Sequence, residues 1–183
     1  MGWPVSQRTV QQLVDAYYEA LYRYAYRLTG SVADAEDLTQ ETFCRAQRHW
    51  HQLREQHRVR AWLFGILRNA YRHRLRDQRP QRHVAIDCVG DLPDPGSDPA
   101  STPVVEIDPN ELQRALDELP EEFRTPIILY YFDNFSYRDI AEQMDLPIGT
   151  VMSRLARAKA HLRRLLVPSP VLSEGQRRAT DGL

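Results

Sequence analysis

Apolar residues along this chain recur at helical spacing, in stretches divided by polar turns, and no segment alternates as a strand would. From Val10 to Leu28 they fall at Val10, Leu13, Val14, Tyr17, Leu21, Tyr24, Ala25 and Leu28, one buried face of a helix. Thr29-Gly30 ends it, glycine being common just past a helix terminus. Ser31, with Asp34 three residues on, caps a second helix whose inner face is Ala35, Leu38, Phe43, Ala46 and Trp50. A polar connection from His51 to His57 leads to a third helix over Val59 to Asp77. This one buries Val59, Trp62, Leu63, Ile66, Leu67, Ala70 and Tyr71.

The pattern then lapses. Residues 79 to 107 hold five prolines, two glycines and five acids with no sustained period, which predicts a linker too long for an ordinary connection. Periodicity resumes at Asp108-Pro109, an N-cap followed by a proline suited to a first helical position. That short helix runs to Glu118. Pro120 opens another, to about Phe132, with Pro126 expected to kink it.

Residues 136 to 160 are the most informative stretch. Ser136 and Asp139 form a capping box, and Ile140, Ala141 and Met144 share one face. Asp145-Leu146-Pro147 stops this helix, and Pro147 suits the opening turn of the next. In that second helix Val151 and Leu155 face inward, leaving Thr150, Ser153, Arg154, Arg157 and Lys159 outside. Such a row on a helix-turn-helix is what major-groove reading requires, Arg forking onto guanine and hydroxyls serving either partner. A solvated charged face on a plain helical hairpin has the same sequence pattern.

Charge changes the picture because it is segregated. The net charge is −1, yet residues 1 to 82 carry 14 Arg against 8 acids, and 83 to 122 carry one Arg against 11 acids. Residues 123 to 183 are basic again, with 9 basic residues and 6 acids. This speaks to partners and not to fold. Between Arg58 and Arg82 lie eight Arg and one acid, and Arg60, Arg68, Arg72 and Arg76 recur at multiples of four. Trp62, Phe64 and Tyr71 are interleaved. A basic track with flat rings is the making of a single-strand site, although the same rings fit a core and the same arginines a solvated face. The second helix differs: Asp34, Glu36, Asp37 and Glu41, with polar Thr39 and Gln40, give an acidic exposed surface suited to a basic protein groove. The macrodipole accounts for part of it.

Enzymatic signals are missing. No His or Cys lies at ligand spacing near those acids, and the chain has no P-loop, Gly-x-Ser-x-Gly or dinucleotide fingerprint. No metal and no cofactor is implied. Cys44 and Cys88 provide no disulfide framework. No apolar run approaches the roughly 20 residues that span a bilayer, and the first residues lack a signal-peptide core, so a soluble cytoplasmic protein is expected.

With both modules placed, the chain resembles bacterial RNA polymerase sigma factors of the compact extracytoplasmic-function (ECF) class. The motifs are DAEDLTQETF at 34 to 43, RAWLFGILRNAYRHRLR at 60 to 76 and FSYRDIAEQMDLPIGTVMSRLARAK at 135 to 159, in family order across a linker. The implied architecture is all-α. A three-helix bundle, sigma region two, spans 9–78; a flexible acidic linker spans 79–108; a helix-turn-helix module, sigma region four, spans 109–166; and a disordered tail spans 167–183.

The resemblance implies roles as well. Asp34, Asp37, Leu38, Gln40, Glu41 and Phe43 would dock on core RNA polymerase. The third helix and the loop before it would capture the minus-10 element, through Trp62, Arg68, Asn69, Arg72 and Arg76. The second helix of the helix-turn-helix would enter the minus-35 major groove with Thr150, Met152, Ser153, Arg154 and Arg157. The linker would thread the RNA-exit channel, though its composition equally fits a plain tether. Partners would be core polymerase, promoter DNA and an anti-sigma factor, with no membrane insertion. Phosphodiester chemistry would belong to the polymerase, so the chain would not be an enzyme.

Position 152 departs from the family, which usually carries Lys or Arg there; Met reaches a thymine methyl but cannot donate to guanine, so an altered minus-35 preference is expected. Asp145 stands where glycine is common. A stand-alone helix-turn-helix regulator is the competing reading, and it leaves the acidic motif and the Arg-aromatic helix unexplained.

Overall fold

Helix α1 (Gln7–Thr29) buries Leu13, Leu21, Tyr24, Ala25 and Leu28 along one face. It ends at Gly30, whose φ of +67° suits a residue without Cβ and whose N–H returns to the Tyr26 carbonyl at 2.7 Å. In α2 (Val32–His49) the Ser31 hydroxyl accepts from the Asp34 N–H at 3.3 Å, as expected. Two short 3₁₀ turns, Trp50–Gln52 and Gln56–Arg58, lead into α3 (Val59–Gln78). The three helices pack on one another, and the Tyr71 hydroxyl donates to the Leu28 carbonyl at 2.8 Å. This computed structural model describes residues 7–53, 55–78 and 107–166. The linker expected over 79–108, apart from its last two residues, lies outside them, as do the tail from 167, His83 and Cys88.

Thr39 corrects the expected acidic face. It is fully buried with Thr42, and each hydroxyl donates within its own helix at 2.7 Å, to Ala35 O and Leu38 O. A threonine that satisfies its hydroxyl on the preceding turn presents only a methyl to the core.

In the C-terminal module, Asp108 caps α4 (Pro109–Glu118) by accepting from the Asn110 N–H at 3.0 Å. Helix α5 (Glu121–Tyr131) runs on through Pro126. Proline has no N–H, so the Glu122 carbonyl four residues back lacks its helical donor; Arg154 Nη1 supplies one at 3.5 Å. The capping box of α6 (Tyr137–Met144) is complete, and Asp145 adopts the left-handed conformation (φ 53°, ψ 53°) that lets the Leu146 N–H return to Ala141 O at 3.0 Å. Helix α7 (Ile148–Leu166) buries Val151, Leu155 and Ala158.

The modules are packed together. One continuous hydrophobic core takes in Leu21, Tyr24 and Phe64 of the first and Ile128, Leu129 and Phe135 of the second. Helix α1 meets α4 and α5, while α3 meets α6. The last carbonyls of α1 have no donors within the helix, and C-terminal-module side chains serve two of them. Arg124 Nη1 donates to Leu28 O at 2.7 Å, and Gln113 Nε2 to Arg27 O at 3.3 Å. The approach is close enough that a Cβ on Gly30 would stand 2.8 Å from an Asp117 oxygen.

Candidate nucleic-acid interface

Residues four apart on α3 form a row, Arg60, Phe64, Arg68 and Arg72, and each of them meets the C-terminal module. Arg60 Nη2 donates to Asp133 O at 2.5 Å, its guanidinium lying 4.6 Å from the Phe135 ring centroid and 5.2 Å from that of Phe64. Phe64 is fully buried, its ring centroid 5.1 Å from that of Phe135. Arg68, only 6% exposed, donates through Nη1 to Gln143 O at 2.5 Å. Arg72 places Nε 4.0 Å from Glu121 Oε1. Gln143 Nε2 answers with a bond to Ala61 O at 3.1 Å, and Arg58 pairs with Glu142.

The expected minus-10 residues therefore divide. Asn69, Arg72 and Arg76 are exposed; Trp62 is half-buried in an edge-on contact with Trp50; Arg68 is buried. Burial lowers the Arg68 pKa, the Glu121 charge opposes that shift, and Arg72 and Arg154 add to it.

On α2, Asp34, Asp37 and Gln40 are exposed, whereas Leu38 and Phe43 belong to the core. Glu41 is held at 2.5 Å by Arg45 and at 3.2 Å by Arg74, and Arg74 also stands 3.9 Å from Asp34. Part of the acidic face is thus neutralised from within its own module. A row of parallel rings lies beside it: Tyr22, Tyr18 and Phe43, with centroids 6.2 and 6.5 Å apart.

On α7, Arg157 is exposed and Thr150, Met152, Ser153 and Arg154 are half-buried. Ser153 Oγ donates to Thr150 O at 2.9 Å, and Arg154 Nη2 lies 3.6 Å from a Glu122 carboxylate oxygen. The helix presents its outer row with one arginine tethered and one unencumbered by ion pairs.

Sequence reasoning missed Asp133, Arg124 and Gln143, the residues through which the second module grips the first. Asp133 is 7% exposed, and burial raises its carboxyl pKa to about 6 against the opposing charges of Arg60, Arg27 and Arg23. Its neighbour Asn134, at φ 52°, is the one local signal, since asparagine tolerates that conformation at a sharp turn. Among the described residues no cluster of His, Cys, Asp or Glu could hold a metal, and no helix is long and apolar enough to cross a membrane.

Residues 13–81 match the family profile of Sigma-70 region 2, and residues 110–162 match that of Sigma-70, region 4. The ECF RNA polymerase sigma factor SigW of Bacillus subtilis is 30% identical over 168 residues, covering 87% of this chain and 90% of that protein. SigL of Mycobacterium tuberculosis, also described as an ECF RNA polymerase sigma factor, is 35% identical over 161 residues, covering 86% and 88%. Among solved structures, the sigma factor RpoE from Bartonella quintana, crystallised with the anti-sigma factor NepR, superposes with a TM-score of 0.66 at 29% identity. The match covers 85% of this chain and 94% of that one.

Proposed function

We propose how the two modules of this chain, which belongs to the extracytoplasmic-function class of RNA polymerase sigma factors, share the work of promoter-directed initiation. As a member of that class it directs core RNA polymerase to promoters by recognising DNA, acting as a recognition subunit and not as the enzyme. The exposed acids of α2, Asp34 and Asp37 with Gln40, dock on core polymerase, supported from beneath by Leu38 and Phe43. Asn69, Arg72 and Arg76 take the minus-10 strand, Asn69 reading a base edge and the arginines following phosphates, with Arg68 joining them once it is released from Gln143. Arg157 and Ser153 read bases of the minus-35 element, Met152 meets a thymine methyl, and Arg154 and Thr150 position the helix on the backbone. An anti-sigma factor is the regulatory partner, as it is for the Bartonella relative, and the chain works in the cytoplasm beside the polymerase.

The observation that carries this reading is the paired family match across both halves of the chain, with basic exposed side chains on α3 and α7 and acids on α2. Run-off transcription from a genomic fragment library, using bacterial core polymerase with and without the chain, tests it. Discrete new start sites sharing two spaced elements are expected. Core binding without new starts leaves a sequestering relative, and DNA binding without core leaves a stand-alone regulator.

A further inference from the structure

We infer that the chain free of partners occludes itself: its C-terminal module lies on the strand-binding row of α3 and must leave before that row can take DNA. This rests on the reading of α3 as the minus-10 face. The geometry is specific. Arg60, Phe64, Arg68 and Arg72 repeat every four residues on α3, and all four are engaged from the other module, by Asp133 O, Phe135, Gln143 O and Glu121. Arginines available to phosphate in an open chain are here donating to backbone carbonyls.

The packing also indicates that the closed state is made to be given up. Arg68 is buried with a single carbonyl partner, and its Nε has none; Gln143 Oε1 and Tyr24 Oη, buried with it, have no hydrogen-bond partner within the protein either. A desolvated guanidinium does better against an anion than against one amide oxygen, so a phosphate competes well for it. The remaining cross-module ties are rim ion pairs, Arg72–Glu121 and Arg58–Glu142, which salt and competing charges weaken readily. Opposing these, the Phe64–Phe135 contact and the continuous apolar core hold the modules shut. The balance is that of a latch and not of a fused domain.

The test uses the full chain with Arg58→Cys and Glu142→Cys in a Cys44→Ser, Cys88→Ser background. The two new thiols, on exposed side chains across the junction, are bridged by a reducible bis-thiosulfonate linker. Binding of a fluorescein-labelled, mixed-sequence single strand at low salt is followed by anisotropy, before and after the bridge is reduced. Reduction is expected to raise affinity at least about tenfold, because the competent fraction scales the apparent constant. Glu121→Gln with Glu142→Gln, which alters no α3 residue, is expected to tighten binding relative to the unmodified chain. Equal binding by bridged and reduced chains, strong or absent, overturns the inference. Arg72→Ala in the reduced chain separates the two readings. If it weakens binding while the bridge has no effect, α3 binds the strand and is not occluded. If it has no effect, the α3 reading itself fails.

Discussion

Arg154 on α7 donates to the Glu122 carbonyl at 3.5 Å, the acceptor that Pro126 leaves without its helical N–H, and sets a second nitrogen 3.6 Å from the Glu122 carboxylate. A residue facing DNA by sequence pattern therefore also ties α7 to a proline-interrupted helix. Arg154→Ala is expected to lower unfolding stability by about 0.5–1.5 kcal/mol in denaturant titration, the net worth of such a bond. It should also weaken minus-35 binding without changing the preferred sequence. Unchanged stability would show that solvent serves Glu122 equally well.

Arg157 is the contrasting case, exposed and with no ion pair. Arg157→Ala is expected to lose about 1–3 kcal/mol at one minus-35 position, read by competition among single-base variants. A uniform loss across all variants would move Arg157 to the backbone.

Met152 lies half-buried on the same helix. Met152→Lys is expected to shift the sequence recovered in a binding-site selection with the holoenzyme, because lysine donates to guanine and methionine cannot. Recovery of the same motif from both proteins would remove Met152 from base recognition.

Asp133 predicts a pH dependence whose sign is unusual for a carboxylate. Burial raises its folded-state pKa from 3.8 to about 6. Between those values the folded chain holds a proton the unfolded chain has released, so this group's contribution to stability falls as pH rises through that window. Above pH 6 the ionised carboxylate is a standing penalty. Asp133→Asn is thus expected to stabilise the chain at pH 7.5 by about 1–3 kcal/mol. That advantage should shrink as pH falls through 6 and be gone near 4. A variant less stable than the parent at pH 7.5 would mean that attraction to Arg60, Arg27 and Arg23 outweighs burial.

Asp145 holds the left-handed turn of the helix-turn-helix at φ 53°. Asp145→Gly is expected to raise stability by up to about 1 kcal/mol, since glycine adopts that conformation without a Cβ clash. Thermal unfolding measures it, and a lower midpoint would point to a favourable side-chain interaction at the turn.

The sequence by itself determined the helices and their ends. The Ser31 and Ser136 caps, the Asp108-Pro109 start, the Gly30 stop and the Asp145 turn all appear where residues within one or two turns demand them. It also determined the buried faces, through Leu21, Leu63, Ile140, Val151 and Leu155. These features are legible because capping and periodicity are local.

Tertiary structure alone decided what the long polar side chains touch. Arg60, Arg68, Arg72 and Arg76 share one sequence pattern, yet Arg68 is buried against Gln143, Arg60 lies against Phe135, and Arg76 remains exposed with His73 as its neighbour. An arginine has an apolar stem and a five-donor head, so it suits a carbonyl, a ring, a phosphate or water equally in a one-dimensional pattern. Thr39 shows the same limit, its hydroxyl being satisfied by its own helix and its methyl free to be core. Which of those environments each residue meets depends on how the two modules come together, contacts between residues some 75 or 85 positions apart that no local periodicity encodes.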